Sequence, residues 1–494
     1  MTCPDIYQDI CPDICSDICP DICPDICPDT CPDIYQDMCP DIDWRALPSP
    51  CYIVDEALLV RNLELLREVA QAAGCRILLA QKGFSMYAAY PLIAGYLDGA
   101  AASSLFEARL AAEEMGGEVH IYAPAYRADE FPKITKLCSH IIFNSFDQWR
   151  LFRGDTGGAE CGIRVNPGYS EVAAQIYNPC APYSRLGVPA DAFEREAGAG
   201  STGAGSTGTS GSGASAGTSG TSTSARNSTG ASASAGTGTS GSGVCDSANA
   251  GSTGAGSTGA SGSGAGGRYP GLEGLSGLHF HTMCEQGADT LRRTLGVVRE
   301  KFGRYLPHFR WVNFGGGQLI TKPGYDIDTF VRCVREFSER FGVRVYVEPG
   351  EAIALNTGFL VATVLGVADN GMLTAILDAS ATCHMPDVLE APYRPDVIGA
   401  ADPSAPGFDG AAYPHTYRLA GPTCLAGDVI GDYAFKSPLV SGDRLVFTDM
   451  AHYTMVKNNT FNGIGLPAIA MNTRADGIKV IRRFEYEDFK RRLS

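Results

Sequence analysis

The chain contains no apolar run of the roughly eighteen residues that a membrane-spanning helix needs, so no transmembrane helix is expected. It also lacks a basic stripe, because its 39 Lys and Arg residues are outnumbered by 55 Asp and Glu residues, which argues against nucleic-acid binding. The amino terminus has neither an apolar secretion segment nor an arginine-rich targeting composition. These absences predict a cytoplasmic protein.

The first 43 residues contain no lysine or arginine and repeat the unit Cys-Pro-Asp-Ile almost without interruption. Their eleven aspartates account for most of the formal charge of −16 and leave about −5 on the remainder. Proline at every fourth position excludes a helix and removes sheet donors, so the repeat is predicted to be disordered. The alternative is metal binding by its eight cysteines, although they lack the clustered CxxC pairs of a zinc site.

Eight short apolar runs, each ending in a polar or glycine residue, alternate with segments of helical spacing. The runs are RILLAQK (76–82), GAAASS (99–104), EVHIYAPA (118–125), HIIFNS (140–145), CGIRVNP (161–167), GLHFHT (277–282), WVNFGGG (311–317) and RVYVEPG (344–350). Strand alternating with helix eight times predicts an α/β fold, a parallel (β/α)₈ barrel over residues 56–355. In such a barrel the chemistry takes place at the carboxyl ends of the strands.

Two other regions complete the predicted organisation. Residues 197–267 are almost entirely Gly, Ala, Ser and Thr, which cannot bury enough apolar area to offset the entropy of ordering. We interpret them as an insertion between the fifth and sixth strands that leaves the barrel intact. After the eighth run, strand-like segments follow one another and predict a β-rich domain formed by residues 44–55 and 356–494. The segments are FLVATVLGVA, MLTAILDAS, RLVFTDM, AIAMNT and IKVIRRF.

Lys82 and Gly315–Gly317 follow the first and seventh strands of the predicted barrel. A lysine buried at a strand end has a lowered pKa, which makes it a nucleophile able to form a Schiff base with an aldehyde. Three glycines let backbone N–H groups approach an anion, and barrels commonly bind phosphate after strands seven and eight. Taken alone, Lys82 also fits a salt-bridged surface lysine, and a glycine triplet also fits an ordinary turn.

Glu348 and His281 end the eighth and sixth strands, and Arg164 lies at the end of the fifth. A carboxylate at Glu348 can keep the pyridine nitrogen of a cofactor protonated, and an imidazole at His281 can stack on a planar ring. The alternative for Glu348 is a structural ion pair with a barrel arginine such as Arg164, whereas His279 is interpreted as a core histidine. An amine, an anion cradle, a carboxylate and an imidazole at one end of a barrel together indicate a pyridoxal 5'-phosphate enzyme.

The chain resembles the fold-type III pyridoxal-phosphate decarboxylases, which include ornithine and diaminopimelate decarboxylases and the carboxynorspermidine/carboxyspermidine decarboxylases of polyamine biosynthesis. The segments that carry the resemblance occur in order over residues 48–475, outside the insertion. They are LAQKGFS, GLHFHTMCE, NFGGG, VEPGEA, HMPDVLEAPYRP, GPTCLAGD and DMAHYTMVKNNTFNG. Among these enzymes, the carboxynorspermidine/carboxyspermidine decarboxylases are the most similar to the chain. The resemblance implies an alanine racemase-like barrel with a carboxyl-terminal β-rich domain.

The resemblance also implies a role for each candidate residue. Lys82 would carry the cofactor as a Schiff base, and Glu348 would pair with the pyridine nitrogen. His281 would stack on the face of the cofactor ring. Gly315–Gly317 and Tyr453 would bind the phosphate, and Arg164 is a further candidate for cofactor binding.

The remaining implied roles concern the substrate. Cys424 resembles the cysteine that reaches the active site from the other subunit of a homodimer and supplies the proton that replaces CO₂. Glu351 stands where ornithine and diaminopimelate decarboxylases usually have arginine, and Leu425 where they usually have an acidic residue. A carboxylate at Glu351 disfavours a second substrate carboxylate and, with Asp387, favours a cationic tail. The alternative is that Glu351 and Asp387 are ordinary solvated acids.

The expected activity is pyridoxal-phosphate-dependent decarboxylation of carboxynorspermidine and/or carboxyspermidine to norspermidine or spermidine. Two alternatives are also compatible with the sequence. One is a decarboxylase of another basic amino acid, namely ornithine, lysine or diaminopimelate, and the other is a catalytically inactive paralogue that binds the cofactor.

Overall fold

The computed structural model describes residues 42–198 and 269–494. The predictions for the Cys-Pro-Asp-Ile repeat and for the Gly/Ala/Ser/Thr insertion therefore lie almost wholly outside the described residues. Strand β1 (Cys51–Asp55) comes first and leads directly into helix α1 (Glu56–Ala73). The other strands of the described residues form a closed parallel barrel and a second, mixed sheet that includes β1.

Eight parallel strands close the barrel in the order in which they occur along the chain, because the first pairs with the last. They are β2 (Arg76–Ala80), β3 (Gly99–Ala102), β4 (Glu118–Tyr122), β5 (His140–Phe143), β6 (Glu160–Asn166), β8 (Gly277–His279), β9 (Trp311–Asn313) and β10 (Arg344–Val347), while the short β7 (Val188–Pro189) pairs with β6. Each of the eight predicted apolar runs coincides with one of these strands, although β6 begins one residue before its run. The predicted barrel is therefore confirmed.

Helix α1 shows how the local sequence sets the outer layer of the barrel. The Asp55 carboxylate accepts a hydrogen bond from the Leu58 N–H across 2.9 Å at its start, and Gly74 ends it in the left-handed region at a φ of 68°. The helices that follow are α2 (Tyr90–Ile93), α3 (Leu105–Glu114), α4 (Phe131–Leu137), α5 (Phe146–Phe152), α6 (Ala190–Gly198), α7 (Ala288–Phe302) and α8 (Ile327–Phe341).

The amino-terminal end of the barrel is filled by aromatic and imidazole rings. His120 of β4 and His140 of β5 stack with their ring centroids 3.8 Å apart and their planes at 17°. Trp311 and Tyr346 pack beside this pair, with centroids 5.3 Å and 5.5 Å from that of His140. Both histidines are buried, so this end of the barrel is a packed core and leaves the opposite end for chemistry.

The second sheet is built around the long strand β11 (Gly358–Asp369), which pairs with β1, β12 (Leu373–Leu377) and β16 (Arg444–Thr448). Strand β1 also pairs in parallel with β17 (Ala468–Thr473). The remaining strands are β13 (Ala400–Ala401), β14 (His415–Ala420), β15 (Val429–Phe435) and β18 (Gly477–Arg482). The predicted combination of a barrel with a β-rich domain is confirmed, although β13, β14 and β15 were not among the predicted segments.

Five short helices follow the barrel, and two of them contain a candidate site residue, Glu351 or Asp387. They are α9 (Glu351–Ala354), α10 (Ala381–His384), α11 (Asp387–Glu390), α12 (Thr454–Lys457) and α13 (Tyr486–Leu493). Among the helices within residues 42–198 and 269–494, none combines the length and the apolar character that crossing a membrane requires.

Candidate active site at the carboxyl end of the barrel

A cleft at the carboxyl ends of the barrel strands collects most of the predicted site residues. It is lined by Lys82, His281, Met283, Cys284, Glu285, Gly316, Gly317, Gln318, Leu319, Glu348, Gly350, Glu351 and Tyr453. The structure thus brings together the lysine, the imidazole, two of the three glycines, both glutamates and the tyrosine that the sequence singled out. Asp387 and Cys424 are not among the residues that line it.

Lys82 lies two residues beyond β2, and its side chain lines the cleft. Loss of water within the cleft lowers the pKa of its amine, Glu348 acts in the opposite direction, and the charge of Arg164 lowers the pKa further. A lowered pKa supplies more of the neutral amine at neutral pH, which is the form that attacks an aldehyde.

Glu348 directly follows β10 and has one hydrogen-bond donor and one nearby imidazole inside the barrel. Its Oε1 accepts a hydrogen bond from Asn313 Nδ2 across 2.6 Å, and its Oε2 lies 3.7 Å from His279 Nε2. Burial alone would raise the pKa of this carboxyl, but His279, His120 and Asn313 together bring the pKa to about 2. Glu348 is therefore a carboxylate at every physiological pH.

His281 and the glycine loop after β9 hold each other in place. His281 Nδ1 accepts a hydrogen bond from the Gly316 N–H across 2.9 Å, so the proton of the neutral ring is on Nε2. Burial, with the charges of Lys82 and Arg164, lowers the pKa of His281 well below its usual value. The ring that faces the cleft is therefore neutral and flat, which suits stacking on an aromatic cofactor.

The glycine loop has no room for side chains. A Cβ at Gly316 would lie 2.2 Å from the Glu348 carbonyl oxygen, and one at Gly317 would lie 2.2 Å from that of Met283. Gly317 also adopts a φ of 93°, which is accessible to glycine and rarely to other residues. Two N–H groups of the loop are already used, because Gly315 donates to Asn313 Oδ1 and Gly316 donates to His281.

Arg164 approaches the site from β6 without lining the cleft. Its guanidinium lies 4.4 Å above the Tyr122 ring, and its Nη2 donates to the His281 carbonyl oxygen across 3.4 Å. The side chain is buried, and it forms no ion pair with Glu348 among the contacts of the described residues. The predicted alternative for Glu348, a structural pair with a barrel arginine such as Arg164, is therefore wrong, since the carboxylate accepts its hydrogen bond from Asn313.

Glu351 is the first residue of α9 and lines the cleft beside Glu285 and Tyr453. Burial raises the pKa of its carboxyl to about 7, with His452 opposing that shift and Glu285 adding to it. The Tyr453 N–H donates to the Gly83 carbonyl oxygen, 2.6 Å away, which fixes this residue beside the turn that carries Lys82.

Gln318 is a cleft residue that the sequence analysis did not identify. It follows the glycine triplet, its side chain is buried, and neither its amide oxygen nor its amide nitrogen has a hydrogen-bond partner in the described residues. A buried amide without a partner is costly, so a polar ligand group is expected beside it. Its position immediately after the glycines was the signal that could have found it.

The other two candidates, Asp387 and Cys424, do not line the cleft. Asp387 begins α11, accepts a hydrogen bond from the Tyr177 hydroxyl across 3.0 Å, and pairs with the Lys457 ammonium. Cys424 is exposed on the loop between β14 and β15, where its N–H donates to Asn462 Oδ1 across 2.8 Å.

The cleft fits pyridoxal phosphate. It offers an amine with a lowered pKa to the aldehyde, an ionised carboxylate to the pyridine nitrogen, and a flat neutral imidazole to the ring. A glycine loop without space for Cβ atoms and an unpartnered amide at Gln318 offer a cradle for the phosphate.

Comparison with known proteins agrees with this geometry. Residues 42–451 match the family model for pyridoxal-dependent decarboxylases, C-terminal sheet domain. A carboxyaminopropylagmatine decarboxylase of Synechocystis sp. is 40% identical over 91% of this chain and 96% of its own. The carboxynorspermidine/carboxyspermidine decarboxylase of Campylobacter jejuni is 36% identical over 91% of this chain and 99% of its own.

Solved structures give the same result. The crystal structure of C. jejuni carboxynorspermidine decarboxylase complexed with norspermidine superimposes with a TM-score of 0.70 at 35% identity, covering 90% of this chain and 100% of that one. Diaminopimelate decarboxylase of Helicobacter pylori shares the fold, with a TM-score of 0.64 at 15% identity.

The chain is therefore a pyridoxal-phosphate-dependent decarboxylase, a carboxy-lyase of the barrel-and-sheet class. Within that class it belongs to the family of the carboxynorspermidine/carboxyspermidine decarboxylases, as its 36% identical relative from C. jejuni and its 30% identical relative from Herminiimonas arsenicoxydans show. The family, the fold and the cofactor that the sequence motifs implied are all confirmed.

Proposed function

We propose that the chain decarboxylates carboxynorspermidine and/or carboxyspermidine to norspermidine or spermidine in polyamine biosynthesis. The observation that carries the proposal is a carboxylate, Glu351, inside the same cleft as Lys82 and Glu348. A carboxylate there attracts a cationic tail and repels the second carboxylate of diaminopimelate. The C. jejuni relative, whose structure contains norspermidine, supports this choice of substrate.

The cofactor, when bound, withdraws the electron pair that decarboxylation leaves behind, and the protein residues supply binding and orientation. Lys82 would hold its aldehyde carbon, the carboxylate of Glu348 would keep its pyridine nitrogen protonated, and His281 would stack on its ring. The lowered pKa of the Lys82 amine and the lowered pKa of the Glu348 carboxyl match these two roles. Arg164 would act behind His281, since it contacts the His281 carbonyl oxygen.

The phosphate would bind in the Gly315–Gly317 loop beside Gln318 and Tyr453. Since Gly315 and Gly316 already donate within the protein, the N–H of Gly317, the amide of Gln318 and the hydroxyl of Tyr453 are the favoured donors. Gly315 and Gly316 would shape the loop, because any Cβ there would collide with its neighbours.

Asp387 and Glu351 would bind the cationic tail of the substrate. Glu351 faces the cleft, and Asp387 lies close enough for its charge to affect the cleft residues Cys284 and Tyr453. Asp387 already has a cationic partner in Lys457, which shows that this carboxylate attracts an alkylammonium group.

We also propose a cytoplasmic homodimer with shared active sites. Cys424, whose side chain is exposed and lies outside the cleft of its own chain, would supply the proton to the partner's site. The exposed side chain of Leu425 beside it supports a contact with a second copy. Nine cysteines in the described residues are free thiols, as expected in a reducing compartment.

A second candidate substrate is carboxyaminopropylagmatine, favoured by the 40% identical Synechocystis relative. An agmatine tail ends in a guanidinium, which binds carboxylates through two parallel hydrogen bonds and so also suits Glu351 or Asp387. The two candidates share the decarboxylation step and differ only in the group that meets these acids.

The test is CO₂ release by the cofactor-loaded protein with five substrates side by side: carboxynorspermidine, carboxyspermidine, carboxyaminopropylagmatine, ornithine and diaminopimelate. Turnover confined to the first two supports the proposal, and turnover confined to the third selects the second candidate. Turnover of diaminopimelate alone would overturn the proposed role of Glu351, and turnover of ornithine alone would overturn the proposed polyamine substrate. A Lys82→Ala variant run in parallel controls for CO₂ released without the enzyme's amine.

A further inference from the structure

Lys457 forms a small charged cluster with three residues from other parts of the chain. Its ammonium pairs with the carboxylates of both Asp387 and Glu390, which begin and end α11. The Tyr177 hydroxyl donates to the same Asp387 oxygen across 3.0 Å. We call these four residues, Lys457, Asp387, Glu390 and Tyr177, the Lys457 cluster.

The Lys457 cluster borders the active-site cleft. Lys457 ends α12, and its N–H donates to the carbonyl oxygen of the cleft residue Tyr453, one turn earlier, across 3.0 Å. Burial, together with the carboxylates of Glu285, Glu351 and Asp387, raises the pKa of the cleft thiol Cys284 to about 11. The charge of Asp387 therefore reaches the space that the substrate would enter.

The two carboxylates of the Lys457 cluster already bind the kind of chemical group that ends a polyamine. Lysine presents a primary ammonium on a flexible alkyl chain, which is the same group that ends norspermidine or spermidine. Two carboxylates face one ammonium, so one negative charge is left in excess. The Lys457 side chain is 29% exposed and that of Asp387 is 19% exposed, so the ammonium can leave for solvent without crossing a packed core.

We propose that Lys457 is a specificity-determining residue that competes with the cationic tail of the substrate for Asp387 and Glu390. A substrate with an ammonium or guanidinium tail displaces Lys457 from these carboxylates, whereas an amino acid with a neutral or anionic tail leaves the pair closed. The inference rests on the proposed function, because it takes the cleft to be the place where a cationic amino acid binds.

The test measures binding instead of turnover. Isothermal titration calorimetry of norspermidine into the cofactor-loaded full chain is compared for the wild type, Lys457→Met and Lys457→Gln. Removal of the competing ammonium is expected to tighten binding roughly five- to tenfold in both variants, because two uncompensated carboxylates then meet the ligand. Asp387→Asn should weaken binding by a similar factor, and Lys457→Arg should stay close to the wild type.

Two results would overturn the inference. Weaker or unchanged binding in both neutral variants, each shown to be folded by circular dichroism, would mean that Lys457 only positions Asp387 or has no part in binding. Equal tightening in Lys490→Met, which removes an exposed lysine on α13, would mean that net charge alone is responsible.

A wild type that turns over carboxynorspermidine while Lys457→Met binds no tighter disproves only this inference. A wild type that neither turns over nor binds any polyamine disproves the proposed function.

Discussion

Asn313 joins the carboxylate of the active site to its glycine loop. The Nδ2 of Asn313 donates to Glu348 Oε1 across 2.6 Å, and its Oδ1 accepts the Gly315 N–H across 2.8 Å. One amide thus fixes both the group proposed to hold the pyridine nitrogen and the loop proposed to hold the phosphate. It is buried at the end of β9, where no competing water weakens either bond.

Substitution of Asn313 by Leu is expected to lower kcat roughly tenfold to a hundredfold, because a hydrogen bond to a charged group contributes about 1.5–3 kcal/mol. The cofactor should also bind more weakly, since the glycine loop loses its anchor. Both effects are measured by steady-state kinetics and by a fluorescence titration of pyridoxal phosphate. A variant with unchanged kcat and unchanged cofactor affinity would show that Asn313 has no positioning role.

Replacement of Lys82 by Ala is expected to abolish turnover and the visible absorbance of the lysine-bound cofactor. The reason is that no other lysine or arginine lines the cleft within the described residues, so no second amine can take over. Absorbance spectra and CO₂ release check the two parts separately. Retained turnover in Lys82→Ala would refute the assignment, whereas Lys490→Ala, on the surface of α13, serves as the matched control.

The order of the strands could predict the site residues that follow barrel strands, but not the contacts between residues on other elements. Lys82, His281 and Glu348 follow barrel strands, and the ends of parallel strands meet at one edge, so strand order alone brought them together. The ion pair between Lys457 and Asp387 spans 70 residues and joins two short helices. A contact of this kind leaves no periodic pattern in the sequence from which it could be predicted. The role of Asn313 was not predicted for a different reason. In the sequence it is simply the last residue of an apolar strand.

The β-rich domain was predicted less completely than the barrel for a related reason. The barrel strands are buried on both faces and read as continuous apolar runs, which are easy to recognise. Strand β14 alternates exposed and buried positions, with Arg418 paired to Asp432 of β15 on its outer face. A strand with charged residues inside it resembles a loop until its partner strand is known.

Binding of a cationic substrate is expected to strengthen as the pH rises through about 7. Burial raises the pKa of Glu351 to about 7, so this carboxyl is neutral below that pH and becomes an attractive carboxylate above it. KM for carboxynorspermidine, measured between pH 6 and pH 8.5, should fall severalfold in the wild type and stay flat over the same step in Glu351→Gln. A pH profile unaltered by Glu351→Gln would exclude Glu351 as the tail-binding acid. Glu113→Gln, on the surface of α3, is the control.

Stability is expected to decrease as the pH falls from about 6.5 toward 4, because of the stacked His120 and His140. Burial lowers the pKa of His120 to about 4 and that of His140 to about 2. In the unfolded chain both titrate near 6.5, so between these values the unfolded state binds more protons. The free energy of unfolding should then fall by about 1.4 kcal/mol per pH unit for each histidine.

Urea unfolding of the cofactor-free protein at pH 7, 6 and 5 measures this slope. His140→Phe, which keeps an aromatic ring against Trp311, should reduce the slope by the contribution of one histidine, about 1.4 kcal/mol per pH unit. His415→Phe, on the partly exposed strand β14, should leave the slope unchanged. Identical slopes in the wild type and His140→Phe would show that the buried pair does not determine acid sensitivity.

Mixing two inactive variants is expected to restore activity if Cys424 serves the partner's site. Lys82→Ala and Cys424→Ala each inactivate one half of the proposed shared site, and their mixed dimer contains one site with both residues intact. At equal amounts half of the dimers are mixed and each has one working site, so activity should reach about one quarter of the wild type. Neither variant alone should show this activity, and a mixture that stays inactive although subunits exchange would place Cys424 in the site of its own chain or outside catalysis. Subunit exchange is verified beforehand by native mass spectrometry of the mixture.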